Sequence, residues 1–398
     1  MNIKSNFRQA QRFVYSLILI FLFTKYNVYS EKSIVYTKKT NVKVNHKAMY
    51  AIKYLIEKNN FTAFRHFMKK GMYINIVDYK RMTPLMYACI YSRLRMIKFL
   101  LKYGAIVNLQ DKYSKTALLY ACSGINQALI KLLVARGADV NHNDIRHNTA
   151  LIYAVNNGLY ASVKFLVMHR ARINHKNRAG YSALMIAAKK GFYNILKYLI
   201  QRGADKNAKN KKRQTALILS VIHGNNGISR LLVNFNANVN IYDARKNTAL
   251  TYACINGDVN TVLLLIRSGA EINTQNNTGK TPLIYAGMAG HINVVRYLIR
   301  NRCNVNIKDR RGNTALIYSL KNSKHGVSKF LIKSGANINT QNLYKRSALY
   351  YAVIAGEVEI VKLLIKKGID LSKFGKKCYY AAKKYFRNEI AEILKNNM

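Results

Sequence analysis

Lysines and arginines recur along this chain at short, regular stations: Lys80 and Arg81, Lys112 and Lys115, Arg146, Arg178, Lys211, Lys212 and Arg213, Arg245 and Lys246, Lys280, Arg310 and Arg311, and Lys345 and Arg346. Each group falls within four residues of an aspartate or asparagine, and no acid interrupts it. Cations set out in this way can hold phosphate or carboxylate groups, but they do not by themselves break bonds. The whole chain leans the same way, with 66 Lys+Arg against 16 Asp+Glu and a formal charge of +50. An excess of that size points to nucleic acid, an acidic lipid or an acidic protein surface. A second reading stands beside it. Abundant Lys, Asn, Ile and Tyr with 2 prolines and no tryptophan is the usage of an AT-rich genome, so part of the charge is composition accumulated on tolerant loops.

Covalent chemistry finds little to work with. Paired carboxylates must converge on one substrate atom, yet Asp78, Asp111, Asp144, Asp243 and Asp309 open turns, Asp139, Asp205 and Glu271 repeat in a later loop, and Glu357 and Glu359 read as a lone surface pair. The 9 histidines form no metal-ligand spacing, and no phosphate-cradling glycine loop occurs. The 5 cysteines are odd in number and lack a C-x-x-C. Cys89, Cys122 and Cys254 read as small core residues, Cys303 takes a loop position and Cys378 lies near the C-terminus, so neither disulfide, metal nor other cofactor is expected. Tyr87, Tyr120, Tyr153, Tyr252, Tyr285, Tyr318 and Tyr351 share one register with Ile186 and Leu219. Because aliphatics serve there too, the position reads as core packing, with base stacking the minority alternative. The KNKKR run at 209–213 reads as a solvated loop.

The elements that must position the cations are clearest in 276–309, NNTGKTPLIYAGMAGHINVVRYLIRNRCNVNIKD. Thr281 is placed as a helix N-cap and Pro282 at the first helical position, where it loses no hydrogen bond. Gly290 can end that helix in the left-handed region. Val294, Val295, Leu298 and Ile299 give a second helix its apolar face. Two helices this short are marginal alone and need covered faces.

The neighbours that cover them recur every 33 residues. Caps fall at Thr83, Thr116, Thr149, Ser182, Thr215, Thr248, Thr281, Thr314 and Ser347, with a leucine two residues after each. Gly158, Gly191, Gly224, Gly257, Gly290 and Gly356 mark the interhelix turn, and asparagines keep the same interval from Asn75 to Asn339. A 33-residue unit carrying Thr83-Pro84-Leu85 and Thr281-Pro282-Leu283 resembles the ankyrin repeat, and the whole resembles an exported bacterial-type protein of that family. The family's histidine after T-P-L is absent. Packing must then replace its hydrogen bonds, and the units at 210–242 and 309–341, with Ser220 and Ser319 for alanine, are expected to open first.

The resemblance implies an all-α ankyrin-repeat solenoid of helix-turn-helix units joined by β-turn fingers that flank a concave groove. The expected organisation is a signal peptide over 1–30, a mobile lead-in over 31–44, an N-terminal capping repeat over 45–77, nine repeats over 78–374 and C-terminal capping helices over 375–398. Lys4, Arg8 and Arg12 before the apolar run 13–23 carry the signal reading, and a helix of 11 residues reaches only ~16 Å against a hydrocarbon core of ~30 Å. Export to the periplasm or medium follows, or membrane anchoring if the signal is retained. The expected function is that of a monomeric, non-enzymatic adaptor or effector. Its fingers and groove would meet an acidic protein surface, a host protein if the source is an intracellular bacterium. Nucleic acid or anionic membrane is the alternative partner.

Overall fold

The computed structural model describes residues 35–37, 42–44, 46–69, 73–124 and 126–398. The expected signal segment and Gly71, read as closing the first repeat, lie outside the described residues. Within the stretch read as a lead-in, β1 (Val35–Thr37) and β2 (Val42–Val44) pair antiparallel, with Val35 opposite Val44. Everything described beyond them is an all-α repeat fold of 22 helices in successive antiparallel pairs, from His46–Glu57 with Phe61–Lys69 to Leu371–Lys384 with Asn388–Asn397.

The pairs group into two compact units, one of Met1–Ala187 with Gln201–Ala204, the other of Ala188–Ile200 with Asp205–Met398. In the first, helices Pro84–Ile90, Ala117–Ser123 and Ala150–Asn156 pack side by side, with Leu85, Leu118 and Leu151 buried between them. In the second, Ala216–Ile222, Ala249–Asn256, Pro282–Ala289, Ala315–Lys321 and Ala348–Ala355 do the same through Leu217, Leu250, Leu283, Leu316 and Leu349. Ile52, Leu55, Phe64, Phe67 and Met68 fill the core of the first pair, as their register predicts. The last pair starts earlier than the sequence suggests, because the Asp370 side chain accepts from the Lys373 N–H at 2.9 Å and caps the helix at Leu371.

The expected caps hold at every station but one. Thr281 Oγ1 accepts from the Ile284 N–H at 3.2 Å, and the other stations behave alike except Thr116, whose buried hydroxyl makes no cap bond and is left without a partner. The asparagine period also acquires a physical cause. In the second unit the Asn240 amide donates to the Gly269 carbonyl at 3.0 Å and accepts from the Glu271 N–H at 2.9 Å, so one side chain ties the loop of its repeat to the loop of the next. The same geometry recurs at Asn75, Asn108 and Asn141 in the first unit.

Ser220 and Ser319 are fully buried, each with a partner that the sequence reading did not match to it. Ser220 Oγ lies 2.8 Å from Ser229 Oγ, and Ser319 Oγ 2.8 Å from Ser328 Oγ, joining the two helices of each repeat. The five cysteines are unpaired and buried. Burial raises every one of these thiols, Cys303 and Cys378 to about 12, so they stay protonated at neutral pH.

Candidate functional site

The turns that carry the cations are built on their opening acids. Asp243 is 4% exposed; its Oδ1 accepts the N–H groups of Arg245 at 2.8 Å and Asn247 at 2.9 Å, and its Oδ2 accepts the Tyr252 hydroxyl at 2.6 Å. Asp78, Asp111, Asp144 and Asp309 repeat the arrangement with Tyr87, Tyr120, Tyr153 and Tyr318, each at 2.7 Å. The tyrosine register is therefore not plain core. Its hydroxyl fastens each aspartate turn to the helix that follows, supplying a hydrogen bond where packing alone was expected. A sequence signal for this exists: every turn aspartate has a tyrosine nine residues on, whereas Ile186 and Leu219 follow Asn177 and Asn210.

Burial, then the bond to the aspartate and its charge, raises the pKa of these five phenols above the ordinary tyrosine value. An acid whose folded pKa is raised contributes stability that is whole below its unfolded pKa, near ~10, and is lost as pH climbs toward the folded value. The melting temperature is accordingly expected to fall steeply above that pH. A variant with phenylalanine at the five sites should start lower and fall less steeply. If the difference absorbance of the phenolates between the two chains showed titration at the ordinary pKa while the helices persisted, the bonds would carry no such linkage.

Backbone bonds join successive turns. In the first unit the N–H groups of Lys112, Ile145 and Arg178 donate to the carbonyls of Lys80, Tyr113 and Arg146. In the second, Ala244, Asn277, Arg310 and Leu343 donate to Lys212, Arg245, Thr278 and Arg311, at 2.9 to 3.0 Å. The fourth residue of each turn has positive φ; Arg81, Arg213, Lys246 and Lys345 occupy that position, as do Ser114 and His147, where the other repeats have Gly180, Gly279 and Gly312. Such residues carry strain of ~1–2 kcal/mol that glycine avoids. At Gly279 a Cβ would also lie 2.7 Å from the Arg310 backbone nitrogen. Gly279→Ala should therefore destabilise its repeat by ~1–3 kcal/mol, read as a lowered urea midpoint. An unchanged midpoint would show that the turn can move aside.

The cations predicted from sequence divide by position. Arg81, Lys112, Arg146, Arg178, Lys211, Lys212, Arg213, Arg245, Lys246, Arg310, Arg311 and Lys345 are exposed on the turns. Lys80, half-buried, lies 5.3 Å from the Tyr79 ring, and a hydrogen bond with Tyr79 raises its pKa. Arg346, also exposed, lies 5.9 Å from the Tyr344 ring and 5.3 Å from that of Tyr350, whereas Lys115 and Lys280 end their turns and lie along the tyrosines of the register. The Lys115 ammonium is 5.2 Å from the Tyr120 ring and 5.1 Å from that of Tyr153; Lys280 is 5.8 Å from Tyr285 and 5.2 Å from Tyr318. Cation and ring attract by about 0.5–1 kcal/mol in exposed settings, so these side chains are held over the aromatic row.

Ion contacts join His325 with Glu357 and Lys362 with Glu389, and neither takes in one of the turn cations named above. Glu357 is thus not a lone surface acid, since it faces His325 from the next repeat. The turn aspartates are spent on backbone and tyrosine donors. No group of three or more His, Cys, Asp or Glu among the described residues could hold a metal ion. No helix among the described residues is long and apolar enough to cross a membrane.

A family model described as ankyrin repeats (3 copies) matches overlapping stretches 48–144, 126–210, 184–276, 260–342 and 327–398, which together run through both units. Among curated proteins none matches the chain.

Proposed function

The chain belongs to the ankyrin repeat family, whose repeats are generally protein–protein interaction modules and non-enzymatic scaffolds, and on that premise we propose that it is an adaptor binding an acidic protein surface through its basic turns and the adjoining faces of the first helices. The observation that carries this reading is, within each unit, a row of cations without acidic partners on turns linked by backbone hydrogen bonds. A hydrogen-bonded row holds the charges in fixed register, so a partner meets several together without ordering each turn separately.

Export of the chain as a soluble monomer is part of the proposal and rests on the basic and apolar pattern of 1–30; sequencing the N-terminus of the mature protein tests it. The binding reading is tested by capture on the full chain, identification of the retained proteins, and elution across a salt series. A protein partner should survive moderate salt by shape and apolar contact. Retention that falls log-linearly and steeply with salt, with nucleic acid in the eluate, would instead favour the polyanion alternative.

A further inference from the structure

One place in the second unit combines the cations with a formed cavity. Arg311, Lys321 and Arg346 surround a space of ≈ 250 Å³ walled by Tyr318, Tyr344 and Tyr351. Its floor differs from that of the aspartate turns. Asn342 replaces the aspartate, and because its Oδ1 accepts the N–H groups of Tyr344 at 3.0 Å and Arg346 at 3.1 Å, its amide nitrogen must face inward. There it donates to Asn313 Oδ1 at 2.9 Å and to the Tyr351 hydroxyl at 3.2 Å.

Tyr351 is thereby turned round. Tyr318 donates its proton to Asp309, whereas the 4% exposed Tyr351 oxygen accepts from Asn342. With that oxygen accepting, its own proton is available to an acceptor in the cavity that it lines. The exchange of aspartate for asparagine also removes one negative charge from the floor, and Asp309 has both oxygens occupied below the wall. The result is three cations and one buried hydroxyl donor around a single cavity, with aromatic rings as its sides.

We propose that this cavity receives a phosphomonoester carried by a phosphorylated side chain of the protein partner. A carboxylate brings one charge and two oxygens and leaves two of the three cations uncompensated. A phosphomonoester brings about −1.5 to −2 charge and three strong acceptor oxygens, which two guanidinium forks, an ammonium and a hydroxyl can satisfy together. Tyr344, 61% exposed with the Arg346 guanidinium 5.9 Å from its ring, offers a face to the group that bears the phosphate. The inference rests on the reading of an acidic protein partner but has its own readout.

The test titrates phenyl phosphate and, in parallel, benzoate into the full chain at physiological ionic strength, following ligand resonances by ³¹P and ¹H NMR. Phenyl phosphate is expected to bind at least about tenfold more tightly than benzoate, and Lys321→Gln and Arg346→Gln each to weaken it by roughly tenfold. Tyr351→Phe should weaken it by a smaller factor, while Lys366→Gln, at the end of another helix, should change nothing. Lys321 is exposed, so its variant tests the site even if Tyr351→Phe lowers the melting temperature. Equal binding of phenyl phosphate and benzoate, or indifference to Lys321→Gln and Arg346→Gln, overturns the proposal. So does displacement by a single-stranded oligonucleotide at equal concentration of phosphate groups, which would mean attraction to any polyanion. Reversing Lys211, Lys212 and Arg245 should spare phenyl phosphate binding, so failure of the wider basic row and failure of this cavity give different results.

Discussion

Reversing the charge at Lys211, Lys212, Arg245, Arg310 and Arg311 is expected to abolish partner capture while leaving helicity and melting temperature unchanged. All five are exposed turn residues of the second unit without an ion partner. Two unit charges ~10 Å apart in water repel by about 0.4 kcal/mol before screening over a Debye length of ~8 Å, so folding tolerates such a row and should tolerate its inversion. Binding should respond far more. Exposed pairs contribute roughly 0 to 1 kcal/mol each, so losing five favourable contacts and gaining five repulsive ones would cost several kcal/mol, more than a hundredfold in affinity. A folded five-site variant that captures its partner as before would return the turn charge to composition. The backbone bonds from Ala244 to Lys212 and from Leu343 to Arg311 involve no side chain, so the substitution leaves the row intact.

A second large effect is expected inside the turn. Asp243→Ala removes the acceptor of two backbone N–H groups and of the Tyr252 hydroxyl in a site that is 4% exposed. Buried donors left without partners cost ~1–3 kcal/mol each, and water can reach the exposed Arg245 side, so a total near ~3–5 kcal/mol is expected. Faster amide exchange from Asp243 to Gly257 would locate the loss. Asp243→Asn should cost only ~1 kcal/mol, because Asn276 performs the same turn by accepting from Thr278 and Lys280 and donating to Tyr285 at 2.7 Å. Equal destabilisation by both variants would mean that the carboxylate charge, and not the hydrogen bonds, holds the turn.

Much of the fold was legible because its signals are local and repeated. A threonine before proline, a glycine that must take positive φ and apolar residues at helical spacing each act within one turn of chain, and nine near-copies average out the exceptions. Gly257, Gly290 and Gly356 do end their helices left-handed, at φ 74, 87 and 76. The tyrosine register was harder to read. A phenol and a leucine fill similar volume beside a neighbouring helix, and periodicity carries no information about where a hydroxyl points. Only the pairing of the turn's opening aspartate, or of Asn276 and Asn342, with a tyrosine nine residues later distinguishes a tether from filler. The serine pairs were missed for the same reason: Ser220 alone reads as a weak core residue, and its meaning depends on Ser229 across the interhelix turn.

The repeat, its helices and caps, the excess of positive charge and the stations at which that charge sits all follow from residue type and interval. How the cations are deployed depends on the packing of one repeat against the next. Stacking of successive repeats brings the end-of-turn Lys280 over tyrosines of two repeats, leaves Arg245 and Arg310 in solvent, and sets Arg311, Lys321 and Arg346 around one cavity. These residues are separated along the chain by turns and helix segments whose relative placement no interval specifies. The direction of a tyrosine proton depends on whether an aspartate or an asparagine lies beneath it, and that contact exists only once the turn has closed on its helix.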